Sequence, residues 1–373
     1  MLQVFTIVIA VLAAIVAASL LAIVAVRVTR RIKDNERARL AEQPRKALLA
    51  FVADNGEEGS DDLVAIPDDA WRAAEPHALA LLGKLRGEAH LGLVSVFLRR
   101  GAARSALHGL RSRSPVKRSR AAQVLGDLEV RRAVPELCRL LTDRYPEVRV
   151  VAVRALGRIG DPAAAWRIIS SLDQPDPIPS LLASHTLAQL GPEAEVTLSA
   201  ALDHPQARVR AVCLDALGLL GATGSVHRIA RIVNEDSHLD VRVAAATNLG
   251  KLGTRTALEP LTHALRDSRP TALRSAAAKA LGDLGSPSAV PTLATLLGDD
   301  AYQVAHEAAH AMRRLGSKGL DALREVIEDE RAKAIAMGAG AHAQRSPAAC
   351  HAEEALALAG VLRGEDQRVG AAR

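Results

Sequence analysis

Two patterns of apolar and polar positions divide the chain. Residues 2–26 include no charged side chain, and a helix of about 25 residues at 1.5 Å per residue can cross a hydrocarbon layer about 30 Å thick. We therefore expect one transmembrane helix over residues 2–26. A cleavable signal peptide is the alternative, but no Lys or Arg precedes the apolar run, which is also longer than a usual signal-peptide core.

Basic residues follow this stretch and predict its orientation. They are Arg27, Arg30, Arg31 and Lys33. Lys and Arg are enriched on the cytoplasmic side of membrane helices. We therefore expect a single-pass protein of the inner cell membrane, with its N-terminus outside and its remaining residues in the cytoplasm.

The second pattern is a recurring phrase that ends in glycine. It reads Ala-Leu-Gly-Arg-Ile-Gly from Ala155 and Ala-Leu-Gly-Asp-Leu-Gly from Ala280. Its last glycine returns about every 31 residues, a period typical of solenoid proteins. Those glycines are Gly160, Gly191, Gly221, Gly253, Gly285 and Gly316. An apolar helical stretch precedes each phrase and another follows it, so each unit is predicted to be a helix, a Gly-containing turn and a second helix.

The two patterns together predict the fold. We expect an all-α protein, an α-solenoid of about seven to eight two-helix repeats that stack to bury a continuous core, preceded by one transmembrane helix. The predicted regions are the membrane helix at 1–27, a linker with capping helices at 28–86, the repeats at 87–329 and a tail with a capping helix at 330–373. A short helix is expected at 45–53, and the last helix is expected to begin at Ser346 and Pro347.

The repeated phrase resembles the HEAT repeats, in particular the short subtype named after phycobilin lyases. The resemblance extends from Ser114 to Asp329, with a degenerate unit near Leu91 to Leu110. It implies a solenoid whose concave surface binds another protein. It does not identify a reaction.

A basic residue recurs at the same position of the first helices. Its positions are Arg118, Arg149, Arg210, Arg242 and Arg274, with Ser180 and Ala305 in the equivalent positions of two other repeats. Such a row either lines a groove for acidic ligands or pairs with acidic residues of the adjoining turns. We favour pairing, which would hold one repeat to the next.

One motif is typical of an enzyme. His306, Glu307 and His310 form H-E-x-x-H, in which two histidines one helical turn apart bind zinc and the glutamate acts as a base. The motif lies on the Ala-Ala template of the seventh repeat, and no third ligand stands at metalloprotease spacing. In the same repeat family, deoxyhypusine hydroxylase holds two irons with His-Glu pairs from several repeats, but here His306-Glu307 is the only pair that matches, which is too few ligands for such a centre. We therefore predict no metal site and no enzymatic activity, and keep these three residues as weak metal candidates.

A dense group of positive charges precedes the repeats. No acidic residue lies between Glu88 and Asp127. The basic residues of this stretch are Arg99, Arg100, Arg104, Arg111, Arg113, Lys117, Arg118 and Arg120. These residues are predicted to bind an anionic lipid or an acidic protein, with an ordinary solvated helix face as the alternative. Nucleic acid is the least expected ligand, because Phe97 is the only aromatic residue nearby.

Composition adds little to this picture. Aromatic residues make up 2% of the chain, and its net charge of +6 comes from charges of both signs, which describes an ordinary surface. Cys138, Cys213 and Cys350 lie far apart and are predicted to be reduced thiols in the core.

The function predicted from the sequence is a membrane-anchored scaffold without a cofactor. Its repeats would recruit a partner protein, for which a membrane enzyme or transporter is the leading candidate. A metal-dependent HEAT-repeat enzyme and a module that binds anionic lipid or another polyanion are the alternatives.

Overall fold

The computed structural model describes residues 2–56, 59–336 and 346–370. Side chains are described for most of these residues between Ser19 and Gly360. The described residues form helices and turns, and no strand occurs among them. The chain divides into two compact units, Met1–Arg113 and Ser114–Arg373.

The described residues of the first unit form five helices. They are α1 (Leu2–Ala53), α2 (Ser60–Ala65), α3 (Asp68–Leu82), α4 (Gly87–Arg99) and α5 (Ala102–Gly109). Its core includes Phe51 of α1 and Phe97 of α4, both almost fully buried. Trp71 of α3 meets Phe97 edge to face with ring centroids 5.3 Å apart, a favourable arrangement for aromatic pairs.

The prediction of a transmembrane helix at residues 2–26 is wrong. No helix among the described residues has an apolar stretch long enough to cross a membrane. Helix α1 continues to Ala53, and charged side chains recur along it from Arg27 onward. The predicted single-pass localisation in the inner membrane is therefore contradicted; residues 1–18 of that prediction lie outside the described side chains.

The second unit consists of helix pairs that follow one another. In chain order, first helix then second helix, they are α6 (Pro115–Asp127) and α7 (Val134–Arg139), α8 (Pro146–Ile159) and α9 (Ala165–Ser171), α10 (Ser180–Gln189) and α11 (Glu195–Ala200), α12 (Ala207–Leu220) and α13 (Val226–Glu235), α14 (Leu239–Leu252) and α15 (Leu258–Ala264), α16 (Thr271–Leu284) and α17 (Val290–Thr295), and α18 (Tyr302–Arg314) and α19 (Ser317–Ala336). The last helix is α20 (Pro347–Gly370). The all-α stack of two-helix repeats predicted from the sequence is confirmed.

The recurring phrase ends each first helix for a local reason. Gly221, for example, follows α12 with φ 71° and ψ 32°, the left-handed conformation that suits glycine because it has no Cβ. A 3-10 turn then leads into the second helix, such as Pro162–Ala164 before α9. The phrase thus provides the reversal between the two helices of a pair.

Successive first helices pack directly on one another, from α6 through α18. Their contact surfaces are made of small and branched apolar side chains, of which Val148, Ala152 and Leu156 of α8 are all buried. After the last pair, α20 packs against α18 and α19. Ser346 begins this helix by accepting a hydrogen bond from the Ala349 amide at 3.2 Å.

The division into units differs from the predicted regions. The boundary between the units lies between Arg113 and Ser114, whereas the sequence placed the start of the repeats at residue 87. The helix expected at 45–53 is the last part of α1, which contains Pro44 in its interior. Only one of the three thiols is fully buried, since Cys138 is half-buried and Cys350 is exposed.

Candidate functional site

Arg100, one of the predicted binding residues, is a structural side chain of the first unit. Its guanidinium donates to three backbone carbonyls near the turn between α2 and α3, those of Leu63 at 3.2 Å, Val64 at 2.7 Å and Ile66 at 2.9 Å. It also pairs with Asp68 at 2.9 Å and lies over the ring of Trp71, 4.7 Å from the centroid. With its side chain only 8% exposed, Arg100 joins α4 to α3.

The other predicted binding residues fall in both units. In the first unit Arg99 is exposed and pairs with Asp61 at 2.7 Å, and Arg104, Arg111 and Arg113 are exposed. In the second unit Lys117 and Arg120 are exposed on α6, whereas Arg118 is buried. A binding role for the exposed members stays a prediction.

The recurring arginines form buried ion pairs from one repeat to the next. Arg210 of α12 holds Asp236, in the turn before α14, with two hydrogen bonds of 2.7 and 2.8 Å. Arg118 and Asp143 repeat this two-point contact, as do Arg274 and Asp299. In all three pairs both side chains are at most 10% exposed. The structure thus shows the pairing that the sequence favoured.

The aspartate of each pair also shapes its own turn. Asp236 accepts from the backbone amide of His238 at 2.8 Å. Burial alone would raise the pKa of Asp236, but the hydrogen bonds from Arg210 and His238 and the nearby positive charges outweigh burial and lower this pKa below its ordinary value. Arg210 in addition donates to the carbonyls of His204 and Pro205 at 2.8 and 2.9 Å. The Arg210 guanidinium therefore links the turn before α12 to the turn before α14.

Two positions depart from this scheme. Arg149 pairs with Asp176 at 2.5 Å, but Asp176 is 75% exposed. Arg242 donates to the Val233 carbonyl, and its Nη2 atom is buried without a partner in the part of the chain that the structure describes. Burial and the nearby charge of Arg269 lower the pKa of Arg242.

An apolar row lies on two neighbouring second helices. Trp166 of α9 is 56% exposed and Val196 of α11 is 79% exposed. They occupy equivalent positions of successive repeats, since Pro162 and Pro192, which begin the preceding 3-10 turns, stand at the same interval before them. Helices α9 and α11 pack against each other. We call Trp166 and Val196 the apolar row; the sequence analysis did not single it out.

The two histidines of the H-E-x-x-H motif lie together on α18. The rings of His306 and His310 are 4.3 Å apart between centroids, and both side chains are partly buried. Burial, the neighbouring His306 and Arg313 lower the pKa of His310. His306 Nδ1 is buried and has no hydrogen-bond partner among the described residues.

Helix α20 adds a carboxylate to these histidines. Glu354 approaches His306 with 3.7 Å between Oε2 and Nδ1. One nitrogen of each histidine and one Glu354 oxygen all lie within 4.8 Å of one another, which makes this group a candidate metal site. Glu307 of the motif does not belong to it. Sequence reasoning missed Glu354 because no spacing rule connects α20 with α18.

Two aromatic side chains surround the group. Tyr302 stacks on His306 with centroids 5.6 Å apart and lies 4.9 Å from the ring of His351. His351 is 7% exposed, and its Nδ1 lies 4.0 Å from Glu354 Oε2. We call His306, His310 and Glu354, with Tyr302 and His351 beside them, the histidine cluster.

Comparison with known proteins shows the family. The family description "HEAT repeats" matches residues 103–189, 194–281 and 259–341, together more than half of the chain. No curated protein matches the sequence.

Solved structures agree with this fold. Kap121p bound to Pho4p is 12% identical with a TM-score of 0.50, over 86% of this chain and 41% of Kap121p. The CpcE–CpcF complex of phycocyanin lyase from Nostoc sp. PCC7120 is 24% identical over 61% of this chain and 94% of that chain, with a TM-score of 0.31. Human deoxyhypusine hydroxylase in complex with glycerol is 20% identical over 89% of this chain and 98% of the enzyme, with a TM-score of 0.28. At 12% identity the likeness to Kap121p shows the fold alone.

Proposed function

The chain belongs to the HEAT-repeat family, and we propose from this that it is a scaffold that binds a partner protein through its stacked helices. The observation that carries the proposal is the apolar row. Stacking buries the first helices between their neighbours. Trp166 and Val196 are exposed on second helices, so the stacking of the repeats does not account for the apolar row.

The exposure of Trp166 supports this role. The chain has only 2 tryptophans; Trp71 is 6% exposed and packs in a core, whereas Trp166 is 56% exposed. Each square ångström of its apolar surface that stays in water forgoes about 25 cal/mol of burial energy. Tryptophan is also enriched among residues that dominate the energy of protein interfaces. A partner that covers Trp166 would recover that energy.

The chemistry of the row defines the partner. Beneath the row, Ile168 and Leu198 are fully buried and hold α9 and α11 in place. Around it stand exposed charges of both signs, Arg167 and Glu193. An apolar centre with a polar rim is the usual anatomy of a protein interface. We infer that the partner is a protein segment that inserts an apolar side chain between Trp166 and Val196.

Another protein with this fold also binds a protein partner. Kap121p, which has the same fold, is bound to Pho4p in its solved structure. The proposal assigns no reaction to the chain, and it includes no membrane component.

Affinity capture with matched variants tests the proposal. We expect Val196→Asp, which puts a charge into the row, to remove a reproducible set of proteins captured by the wild-type chain in cells that produce it. The control is Val116→Asp, because Val116 is 75% exposed on the first helix α6 and lies outside the row. If Val196→Asp and Val116→Asp capture the same proteins as the wild type, the row is not the binding surface.

A further inference from the structure

The histidine cluster has the ligand set of a transition-metal site. We propose that His306, His310 and Glu354 bind one divalent metal ion of the zinc class, and that this ion joins α20 to the last repeat. This inference is independent of the proposed scaffold function, since it concerns α18 and α20 and not the apolar row.

The donor atoms select the metal. Two imidazoles and one carboxylate are a known ligand set for zinc sites that keep a fourth position for water. Magnesium and calcium prefer oxygen ligands, so the two nitrogen donors disfavour them. The spacing of His306 and His310 places both rings on one face of α18, where they face the carboxylate from α20.

His306 supplies a second, independent observation. Its Nδ1 atom is buried and has no hydrogen-bond partner among the described residues, although Glu354 Oε2 is 3.7 Å away. A buried polar nitrogen without a partner is unfavourable. A metal ion between His306 and Glu354 would remove this penalty. The nitrogen and the oxygen are already close to the distance of about 3.3 Å that separates two ligand atoms of one tetrahedral zinc ion.

The surroundings fit such a site. His351 is buried next to Glu354 and can orient this carboxylate, as residues around metal ligands commonly do. Tyr302 covers one face of His306.

Metal binding requires a small contraction of the cluster. Its ligand atoms lie within 4.8 Å of one another, whereas atoms bound to one tetrahedral zinc at about 2.0–2.1 Å stand about 3.3 Å apart. Glu354 can supply the movement by rotation, because its side chain is 47% exposed. The histidines, on the rigid helix α18, need to shift less.

Glu307 of the motif is not one of the proposed ligands, and the carboxylate ligand comes from Glu354. In H-E-x-x-H metalloproteases the motif glutamate likewise activates the zinc-bound water and does not bind the metal, so the ligand set alone assigns no reaction. The proposed ion therefore has a structural consequence: it ties residues on either side of 337–345, a segment outside the described residues.

The test uses the untagged full-length chain after treatment with a chelator. We expect calorimetric titration with zinc to show one ion per chain, and cobalt to give the visible absorption of a tetrahedral nitrogen and oxygen site. Glu354→Gln should weaken zinc binding at least about tenfold, and the double variant His306→Ala, His310→Ala should abolish it. Zinc should raise the melting temperature of the wild type but not that of the double histidine variant.

Two matched controls keep the result specific. Glu307→Gln alters the motif but not the cluster, and His227→Ala removes an exposed histidine of α13; both should bind zinc within about twofold of the wild type. Circular dichroism verifies that every variant is folded. The proposal is overturned if the wild type binds no more zinc than the double histidine variant, or if Glu354→Gln binds zinc as tightly as the wild type.

Discussion

At the scale of single residues, the arginine–aspartate pairs link consecutive repeats. The pairs made by Arg118, Arg210 and Arg274 are buried. In each of them the carboxylate receives two hydrogen bonds from the guanidinium and one from its own turn, as in Asp143 with Arg118 and the Tyr145 amide. A buried pair of this kind contributes little against an apolar replacement of both residues, but removing one partner leaves an uncompensated buried charge. Single substitutions should therefore be costly.

Arg210→Met should lower the free energy of unfolding by about 3–5 kcal/mol, because Asp236 would remain buried without its partner. The control is Arg231→Ala. Arg231 and Glu235 form an exposed pair at 4.0 Å with side chains 59% and 70% exposed, and exposed pairs contribute about 0–1 kcal/mol. Urea unfolding followed by circular dichroism measures both. Equal losses of unfolding free energy in the two variants would show that the buried pair stabilises the fold no more than the exposed pair does.

Asp236 also makes stability depend on pH. Its folded-state pKa is lowered, so its contribution is fully present above the unfolded pKa of about 4 and is lost as pH falls through the folded pKa. In Asp236→Asn this contribution is absent at every pH. The difference in melting temperature between wild type and variant should therefore shrink from pH 6 to pH 3. A constant difference over that range would contradict the pairing.

At the scale of elements, close approach between first helices explains the first glycine of the phrase. A Cβ atom added to Gly250 of α14 would lie 2.7 Å from the Ala280 Cα of α16, nearer than such atoms can approach. Gly126 and Gly282 meet the next first helix in the same way. The two glycines of the phrase thus have separate tasks, helix contact for the first and chain reversal for the second.

Gly250→Ala should lower the free energy of unfolding by about 1–3 kcal/mol, because α14 and α16 would have to move apart. Gly360→Ala is the matched control: it lies in a helix with no atom within 4 Å of the added Cβ, and alanine there should be neutral or stabilising by up to about 1 kcal/mol. Thermal and urea unfolding of the two variants measure the difference. A neutral Gly250→Ala would show that the helix contact tolerates a methyl group.

The sequence predicts the features that follow from a repeated local motif, and it misses those that arise from packing between helices distant in the chain. The Gly-containing phrase predicts the turns, and the recurring arginine predicts ion pairs, because both recur at a fixed interval. The length of α1 was missed, since separate helices were expected at 2–26 and 45–53, whereas one helix extends from Leu2 to Ala53 with Pro44 inside it. Glu354 was missed because it meets His306 only through the packing of α20 on α18. The apolar row was missed for a similar reason, since exposure depends on which face each second helix turns away from its neighbours.

At the scale of the whole molecule, the family and the repeat stack are shown, whereas the partner is proposed. Among the described residues, no helix has an apolar stretch long enough to cross a membrane. In a repeat stack each unit contacts mainly its neighbours, and stability is a sum of local terms. A surface such as the apolar row can therefore bind a partner without any rearrangement of distant repeats.

The most direct test of the scaffold function is photo-crosslinking from the apolar row in cells that produce the protein. A photoreactive phenylalanine derivative replaces Trp166 in one variant and Val116 in the other, and adducts are identified by mass spectrometry. We predict that the probe at position 166 gives one dominant protein adduct, which Val196→Asp suppresses, and that the probe at position 116 does not give this adduct. The same adducts from both positions, or none from position 166, would contradict the proposal that this HEAT-repeat protein binds its partner through Trp166 and Val196.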